Sequence, residues 1–338
     1  MVALENSIMV KDRPATAGSK ILENFVSPFS AGVVDKLAES GITIADERAS
    51  ACEFGIPNLF EKEDADVRIP ADSAICNDIF GVYRKHAAQS GHCYIHPTYG
   101  TVSRFGLISL AASMDQAGVF CKDAREGFKL LSAIAGHDER DGAMFPQKSY
   151  SYAPSAGAVK IGLPGFAHGL DFAGKLETTA VTLPHFEALK QVMYILFSGE
   201  FSNNVSRYDG IKFGFRAEGC RGVNDLYLKT RTQGFGAQTK LAAVTGSMVL
   251  SQEKYAPYYE QAMKIRRAVK DGLPFDKCDV IALPATLGGT HYDDMALYAL
   301  PVLAGLPCLA FSAGGQGVQL IADIHNEQAL LAAWEVLA

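Results

Sequence analysis

The chain has 338 residues, of which 48% are hydrophobic and 20% are charged, so it can bury a sizeable core and is not a disordered polypeptide. Its formal net charge of −6 argues against broad, non-specific binding to nucleic acid, which depends on neutralising phosphates with Lys and Arg. No apolar run approaches the roughly 18 residues that a membrane-spanning helix needs, and the first residues, MVALENSIMVKDRP, do not resemble a secretory signal.

The first half of the chain predicts alternating helices and strands. The segment AGVVDKLAESG (Ala31–Gly41) has a helical apolar face and a glycine at its end, and ITIA (Ile42–Ala45) follows as a strand. EKEDADVRIPADS (Glu61–Ser73) is charged and lacks apolar periodicity, which predicts a surface loop. CKDAREGFKLLSAIAG (Cys121–Gly136) predicts a helix whose N-cap is Asp123.

The second half continues the same alternation. AVKIGLP (Ala158–Pro164) predicts a strand, Glu177–Phe197 changes from strand to helix across Pro184, and a helix follows Pro257. A closing helix and three apolar strands complete the chain, and the strands are Cys278–Pro284, Pro307–Gly315 and Gly317–Asp323. GGQG (Gly314–Gly317) lacks the phosphate-loop pattern and predicts a hairpin turn. The pattern predicts an α/β protein with a largely covered sheet, in one domain spanning residues 1–338.

The cysteines and histidines predict neither disulfides nor a metal site. Seven cysteines are scattered without C-x-x-C spacing, which is typical of reduced thiols in a cytoplasmic protein. In HCYIH a strand would put His92, Tyr94 and His96 on one face and Cys93 on the other. A mononuclear zinc site would need further ligands that the nearby sequence does not supply, so we predict no metal and no cofactor.

Several motifs in order resemble one known family. HPTYGTVSRFGLISLAASMDQAG (His96–Gly118), which contains Asp115, is similar to the segment that follows the active-site loop of the amidase signature family. SRYDGIKFGFRAE, with Arg207 and Asp209, and RTQGFG, with Arg231, resemble the A subunit of glutamyl-tRNA(Gln) amidotransferase. The resemblance, which begins near Ile8, implies an amidase-signature fold with a large mixed β-sheet surrounded by helices.

The same resemblance implies a role in protein biosynthesis. The family's ligase complex converts Glu-tRNA(Gln) to Gln-tRNA(Gln), and its A subunit works there with B- and C-type partner subunits. The A subunit supplies ammonia by glutamine hydrolysis, with a serine nucleophile, a bridging serine and a lysine. We therefore expect tRNA to be met only indirectly, through the partners.

The catalytic motif is only partly present. Lys11, in IMVKD, occupies the position of the family's lysine. The active-site pattern of the family falls on CNDIFGVYR, where Asp78, Gly81 and Arg84 persist but the nucleophile position holds Val82. A valine has no heteroatom that could attack an amide. The resemblance thus implies that the serine nucleophile is lost.

Other parts of the family's machinery are also missing. The Gly/Ser-rich loop that bears the bridging serine has no counterpart, because Glu61–Ser73 leads directly into the next strand. The resemblance also leads us to expect that the family's N-terminal helices ahead of Val2 are lacking. The positions implied to bind the substrate carboxylate and ammonium fall near Leu241-Ala242 and Ala296, which carry no charge. Shortening of this kind predicts exposed apolar surface, which commonly marks an interface.

The residues themselves leave some roles open. Lys11 is either a surviving base or a structural lysine paired with a carboxylate. Ser73, Cys76, Ser90 and Cys93 lie close enough in sequence to be considered as replacement nucleophiles, although buried inert thiols are the ordinary state of such cysteines. Arg207, Asp209, Arg231 and their neighbours Arg216 and Phe235 either brace the scaffold or contact partner subunits.

The leading hypothesis is a non-hydrolytic homologue of the A subunit. It would serve assembly or regulation with B- and C-type subunits, or with an active A subunit. The alternative is an active amidase or amidotransferase subunit that uses a different nucleophile or substrate. A decaying duplicate without function is the third possibility.

Overall fold

The computed structural model describes residues 1–62, 65–155, 157–167, 169–170, 172 and 174–338. Within them one sheet has ten strands, in the spatial order β2-β1-β3-β5-β4-β9-β10-β8-β6-β7. The strands are β1 (Val2–Glu5), β2 (Ile44–Ala49), β3 (Ser73–Asn77), β4 (Cys93–His96), β5 (Ala117–Cys121), β6 (Lys160–Pro164), β7 (Glu177–Val181), β8 (Val280–Pro284), β9 (Cys308–Ala313) and β10 (Gln316–Ala322). The α-helices are α1 (Gly32–Glu39), α2 (Val82–Ser90), α3 (Ala124–Ile134), α4 (Leu189–Val205), α5 (Val223–Gly234), α6 (Ala237–Val249), α7 (Gln261–Asp271), α8 (His291–Ala304) and α9 (Glu327–Leu337).

The sheet is mixed, as predicted. Parallel pairs lie at its two ends, β2-β1-β3 and β8-β6-β7, and antiparallel pairs join the strands between them. The hairpin predicted at GGQG is confirmed, because β9 and β10 pair with Gln316 opposite Ala313. Gly314 and Gly315 form its turn with φ values of 56° and 81°, a conformation that glycine adopts without steric cost.

Two apolar layers cover the two faces of the sheet. Alternate residues of one strand go to opposite layers, as in β9, where Leu309 packs on the side of α1, α3 and α9 and Ala310 packs on the side of α2. The second side also carries α4 and α8, and α6 and α7 pack in turn on α4. The predicted α/β class with a covered sheet is confirmed, and α2 lies over the middle of the sheet.

Most of the predicted elements in the first half are found with shifted ends. The helix expected within Ala31–Gly41 is α1, and the strand expected at Ile42–Ala45 begins two residues later as β2. In the helix predicted at Cys121–Gly136 the Asp123 cap is confirmed, since its carboxylate accepts from the amides of Arg125 and Glu126 at 2.8 and 3.2 Å. Cys121, however, ends strand β5, because it pairs with Ser73 across the sheet.

Two other regions differ in detail. The helix expected after Pro257 begins before it, since a six-residue π-helical turn, Tyr255–Glu260, contains the proline and runs into α7. Proline has no N–H to donate, which suits a wider turn at this point. In the loop predicted at Glu61–Ser73, Glu61 and Lys62 are exposed, Ser73 already belongs to β3, and residues 63–64 lie outside the described residues.

Candidate active site

The motif that carries the nucleophile position forms a strand–turn–helix. Strand β3 ends at Asn77, and the chain turns through Gly81, with φ at 82°, into the first residue of α2, Val82. A Cβ at Gly81 would lie 2.0 Å from the ring of Tyr298, so only glycine fits between the turn and α8. The turn thus keeps a geometry that displays one side chain at a helix start, but that side chain is an isopropyl group with 5% exposure.

Only a small cavity adjoins Val82 among the described residues, and the neighbouring turn residue Phe80 is packed in the core. Phe80 is buried against Phe197, with ring centroids 4.6 Å apart, and its carbonyl lies 3.0 Å from Nε2 of His291. The cavity that remains next to Val82 has a volume of about 10 Å³. A water molecule needs about that much room, whereas pockets for small-molecule substrates measure roughly 300–1,000 Å³. Among the described residues, the cavity that touches Val82 is therefore far smaller than a substrate pocket.

A buried ion pair holds the turn. The carboxylate of Asp78 accepts from the backbone amide of Arg84 and from Nε of the same residue, each at 3.0 Å. Nη1 of Arg84 donates to Gln319 and to the carbonyl of Tyr298, both at 3.1 Å, and Nη2 donates to the carbonyls of Asp78 and Ile79. Burial opposes the charge on Arg84, but Asp78 and the neighbouring Cys308 together outweigh burial and raise the pKa of the guanidinium. With Nε and both terminal nitrogens of Arg84 engaged, the pair braces the loop.

A second buried network links the ends of three strands. Asn77 joins two carboxyl groups, because its amide N–H donates to Glu5 and its side chain donates to Asp115, both at 2.8 Å. Glu5 also accepts from Ser7, and Asp115 accepts from the amide of Leu110. Burial raises the pKa of Glu5 to about 7 and that of Asp115 to about 6. Asp115, singled out from the sequence, therefore lies in the core as part of a structural network.

A second buried ion pair lies next to the small cavity at Val82. Lys85, one helical turn after Val82, lies 3.2 Å from the carboxylate of Asp294, and both side chains are buried. Asp294 also accepts from Thr286 Oγ1 at 2.8 Å and from the amide of Leu287 at 2.6 Å. Sequence reasoning missed Lys85, Asp294 and Glu5. Their one signal was the residue type itself, an ionisable group within an apolar segment.

Lys11 lies away from these buried groups. Its side chain is exposed, and its backbone amide donates to Ser30 Oγ at 3.1 Å. Among the described residues its ammonium forms no ion pair, so the expectation of a carboxylate partner was wrong. Lys11 is exposed because of the local turn. In this turn Asp12 has φ of 62°, and its backbone N–H donates to the carbonyl of Ser27. This turn keeps Lys11 at the surface.

The remaining family-motif residues brace the connection between α4 and α5. Arg207 donates to the carbonyl and side chain of Asn204 at 2.7 and 2.8 Å, and Asp209 accepts from the amide of Ile211 at 2.9 Å. Arg231 donates to the carbonyls of Ser206 and Tyr208 at 2.6 and 3.2 Å. These contacts support the scaffold interpretation, and none of them reaches the Val82 turn within the described residues.

The candidate replacement nucleophiles lack activation. Cys76 and Cys93 are buried in the sheet, and burial raises the pKa of Cys76 well above its usual value, which disfavours the thiolate. Ser73 starts β3, and Ser90 is exposed at the last turn of α2. Nδ1 of His92 lies 3.0 Å from Ser90 Oγ and also 3.0 Å from the carbonyl oxygen of Ser90. The hydroxyl therefore shares this nitrogen with a backbone carbonyl. Eight residues of helix, about 12 Å, separate Ser90 from Val82.

The two histidines of HCYIH do not form a metal site. His92 precedes β4 and stacks on Phe120, whereas His96 is fully buried with both ring nitrogens unpartnered among the described residues. Burial holds the pKa of His96 well below its usual value, so its ring is neutral. The described part of the chain contains no group of three or more His, Cys, Asp or Glu side chains that could hold a metal ion.

The strand–turn–helix site in a large mixed sheet defines a class of protein. The Amidase family model matches residues 70–169 and 165–303, and the chain belongs to this family. It is similar to the A subunit of glutamyl-tRNA(Gln) amidotransferase from Coxiella burnetii, with 34% identity over 395 residues, covering 98% of this chain and 81% of the relative. The same subunit of Trichodesmium erythraeum is 31% identical, covering 98% of this chain and 82% of the relative.

Solved structures agree on the fold. The crystal structure of the glutamyl-tRNA(Gln) amidotransferase A subunit from Thermotoga maritima superposes with a TM-score of 0.73 at 23% identity, covering 98% of this chain and 81% of that one. The amidase fold predicted from the sequence is confirmed. In the described residues no helix is both long enough and apolar enough to span a membrane.

Proposed function

We propose that the chain is a non-hydrolytic homologue of the amidotransferase A subunit, retained for assembly or regulation. The observation that carries the proposal is the nucleophile position, where buried Val82 adjoins a cavity of about 10 Å³. Nucleophilic catalysis requires a heteroatom and room for the scissile amide next to it. Val82 offers neither.

The polar groups around this position favour a structural role. Asp78 and Arg84 satisfy one another and the turn, and Lys85 is paired with Asp294. These charges are buried and mutually compensated, so removing one would leave an unpaired charge in the core. They brace the turn before α2, whose first residue, Val82, has no reactive group.

The alternative, an active enzyme with another nucleophile, finds no support around Val82. Burial raises the pKa of Cys52 to about 12 and that of Cys308 to about 11, so both thiols stay protonated at neutral pH. Lys11, the family's lysine position, is exposed, and the nucleophile position that it would serve holds Val82, which has no proton to give up. We infer that Lys11 no longer acts as a base.

We further propose that the chain works as a subunit in the cytoplasm. The curated relatives are named as subunits of an amidotransferase, so B- and C-type subunits, or an active A subunit, are the proposed partners, and tRNA would be met only through them. All seven cysteines are free, as expected in a reducing compartment. Residues 1–338 would act as one domain built on the single sheet.

Co-purification tests the assembly role directly. We expect the chain to form a complex of defined stoichiometry with B- and C-type subunits from the same source, or with the active A subunit, in size-exclusion chromatography with light scattering. A covalent adduct of this chain with a glutamine-like electrophile, located by mass spectrometry on one specific serine or cysteine, would instead support an active enzyme that uses another nucleophile. A chain that stays monomeric with all of these subunits would contradict the assembly role.

A further inference from the structure

Helix α6 is apolar on two opposite sides. Its inner side, with Ala242 and Gly246, faces α4, and a Cβ at Gly246 would lie 1.9 Å from the carbonyl oxygen of Ser198. The two helices therefore approach closely and this side is fully used. A helix that is apolar all round is normally buried all round. The outer side of α6, however, is exposed.

The outer side of α6 carries an exposed apolar stripe. Leu241, Val244 and Met248 have the i, i+3, i+7 spacing of one helical face, and Val244 is 68% exposed. Leu228 on α5 is also 68% exposed and lines the same groove as Val244. Contiguous exposed apolar surface of this kind marks an interaction site.

The stripe borders a groove between α4, α5 and α6. Its volume is about 500 Å³, and its lining includes Ser202, Tyr227, Leu228, Arg231, Lys240 and Val244. We name it the α5–α6 groove. A groove with an apolar floor between helices matches the way in which amphipathic helices dock through anchors spaced i, i+3, i+4 and i+7.

The charged residues that line the groove favour an acidic partner. Its described lining contains two cations, Arg231 and Lys240, and no carboxylate, although the chain as a whole has a net charge of −6. Lys240 forms no ion pair within the described residues. A second copy docked symmetrically would bring the same cations face to face. A helix with an apolar stripe flanked by Asp or Glu would complement both the stripe and the charges.

We propose that the α5–α6 groove docks an acidic amphipathic helix of a partner subunit. This assignment rests on the proposed function in a multi-subunit complex, and it names the surface that the partner uses. Apolar anchors at the centre of the groove would supply most of the affinity, and Lys240 at its edge would steer association.

Two substitutions and one matched control test the assignment in the complex with B- and C-type subunits. We expect Val244→Asp to weaken the complex at least tenfold, because it places a carboxylate in the apolar centre of the groove and repels an acidic helix. Lys240→Glu should slow association and reduce its dependence on salt. The control is Val336→Asp on α9, since Val336 is also an exposed valine on a helix, with 42% exposure, and should leave binding unchanged.

Hydrogen–deuterium exchange on the same complex gives an independent readout. We expect residues 223–250 to become protected on binding. A complex that forms as tightly with Val244→Asp as with the unchanged chain, without protection of 223–250, would overturn the groove assignment and leave the proposed function standing. Absence of any complex would overturn both. A homodimer that Val244→Asp dissolves would also overturn the assignment, because the occupant would then be a second copy.

Discussion

At the scale of single residues, buried polar groups brace the turn that leads into α2, and Val82 is the first residue of that helix. Asp78 and Arg84 fix the turn, Gly81 admits Tyr298, and Val82 stands at the helix start where an attacking group would be displayed. We therefore expect that Val82→Ser alone would not create an amidase, because the cavity that touches Val82 in the described residues measures only about 10 Å³. The proposed lack of hydrolysis therefore rests on the small cavity as well as on the missing heteroatom.

Gly81 should be the most sensitive position of this turn. Gly81→Ala combines a left-handed backbone with a Cβ 2.0 Å from Tyr298, so we expect the free energy of unfolding to fall by about 2–4 kcal/mol. Gly91→Ala is the matched control, since its φ is 72° but nothing lies within 4 Å of its added Cβ, and strain alone should cost about 1 kcal/mol. Urea denaturation of both variants measures the difference. Equal losses would show that Tyr298 does not hold the turn.

At the scale of elements, the sequence predicted those features that depend only on residues close to one another in the chain. The β9–β10 hairpin and the cap of α3 follow from glycines and an aspartate whose roles involve neighbours only. Cys121 was misplaced because its apolar side chain fits a helix start as well as a strand end, and pairing with the distant Ser73 decides between them. Helix α6 was not predicted, since two apolar sides leave it little amphipathic contrast.

At the scale of the whole molecule, long-range contacts determine the chemistry. The bonds from Asn77 to Glu5 and Asp115 span 72 and 38 residues, and no local pattern predicts them. Family resemblance pointed to Asp115 and to the Val82 position but could not predict how small the cavity beside Val82 is. That volume depends on where α8 and the segment before β3 bring His291 and Val67 against α2.

Burial of Glu5 should make stability depend on pH. Its folded pKa of about 7 lies above its usual 4.5, so between these values the folded chain binds more protons and Glu5 favours folding as the pH falls. The lowered pKa values of His96 and His291 act in the opposite direction below about pH 6.5. The informative quantity is therefore the difference in the free energy of unfolding between Glu5→Gln and the unchanged chain. The contributions of the two histidines cancel in this difference.

We expect Glu5→Gln to gain stability relative to the unchanged chain as the pH rises from about 5 to about 8, by roughly 2–3 kcal/mol. Urea denaturation across this range measures it. Glu47→Gln, at an exposed carboxyl group of β2, provides the control and should show little change. A difference for Glu5→Gln that does not vary with pH would contradict the assignment of a protonated carboxyl in the core.

The central claim is that this chain does not hydrolyse amides, and ammonia release from glutamine and asparagine tests it most directly. The assay compares the purified chain alone and with B- and C-type subunits from the same source, and includes Val82→Ser. We predict no ammonia release dependent on this chain in any of these mixtures, because the space beside position 82 is only about 10 Å³. Release that requires this chain, and that Lys11→Ala abolishes, would contradict the account.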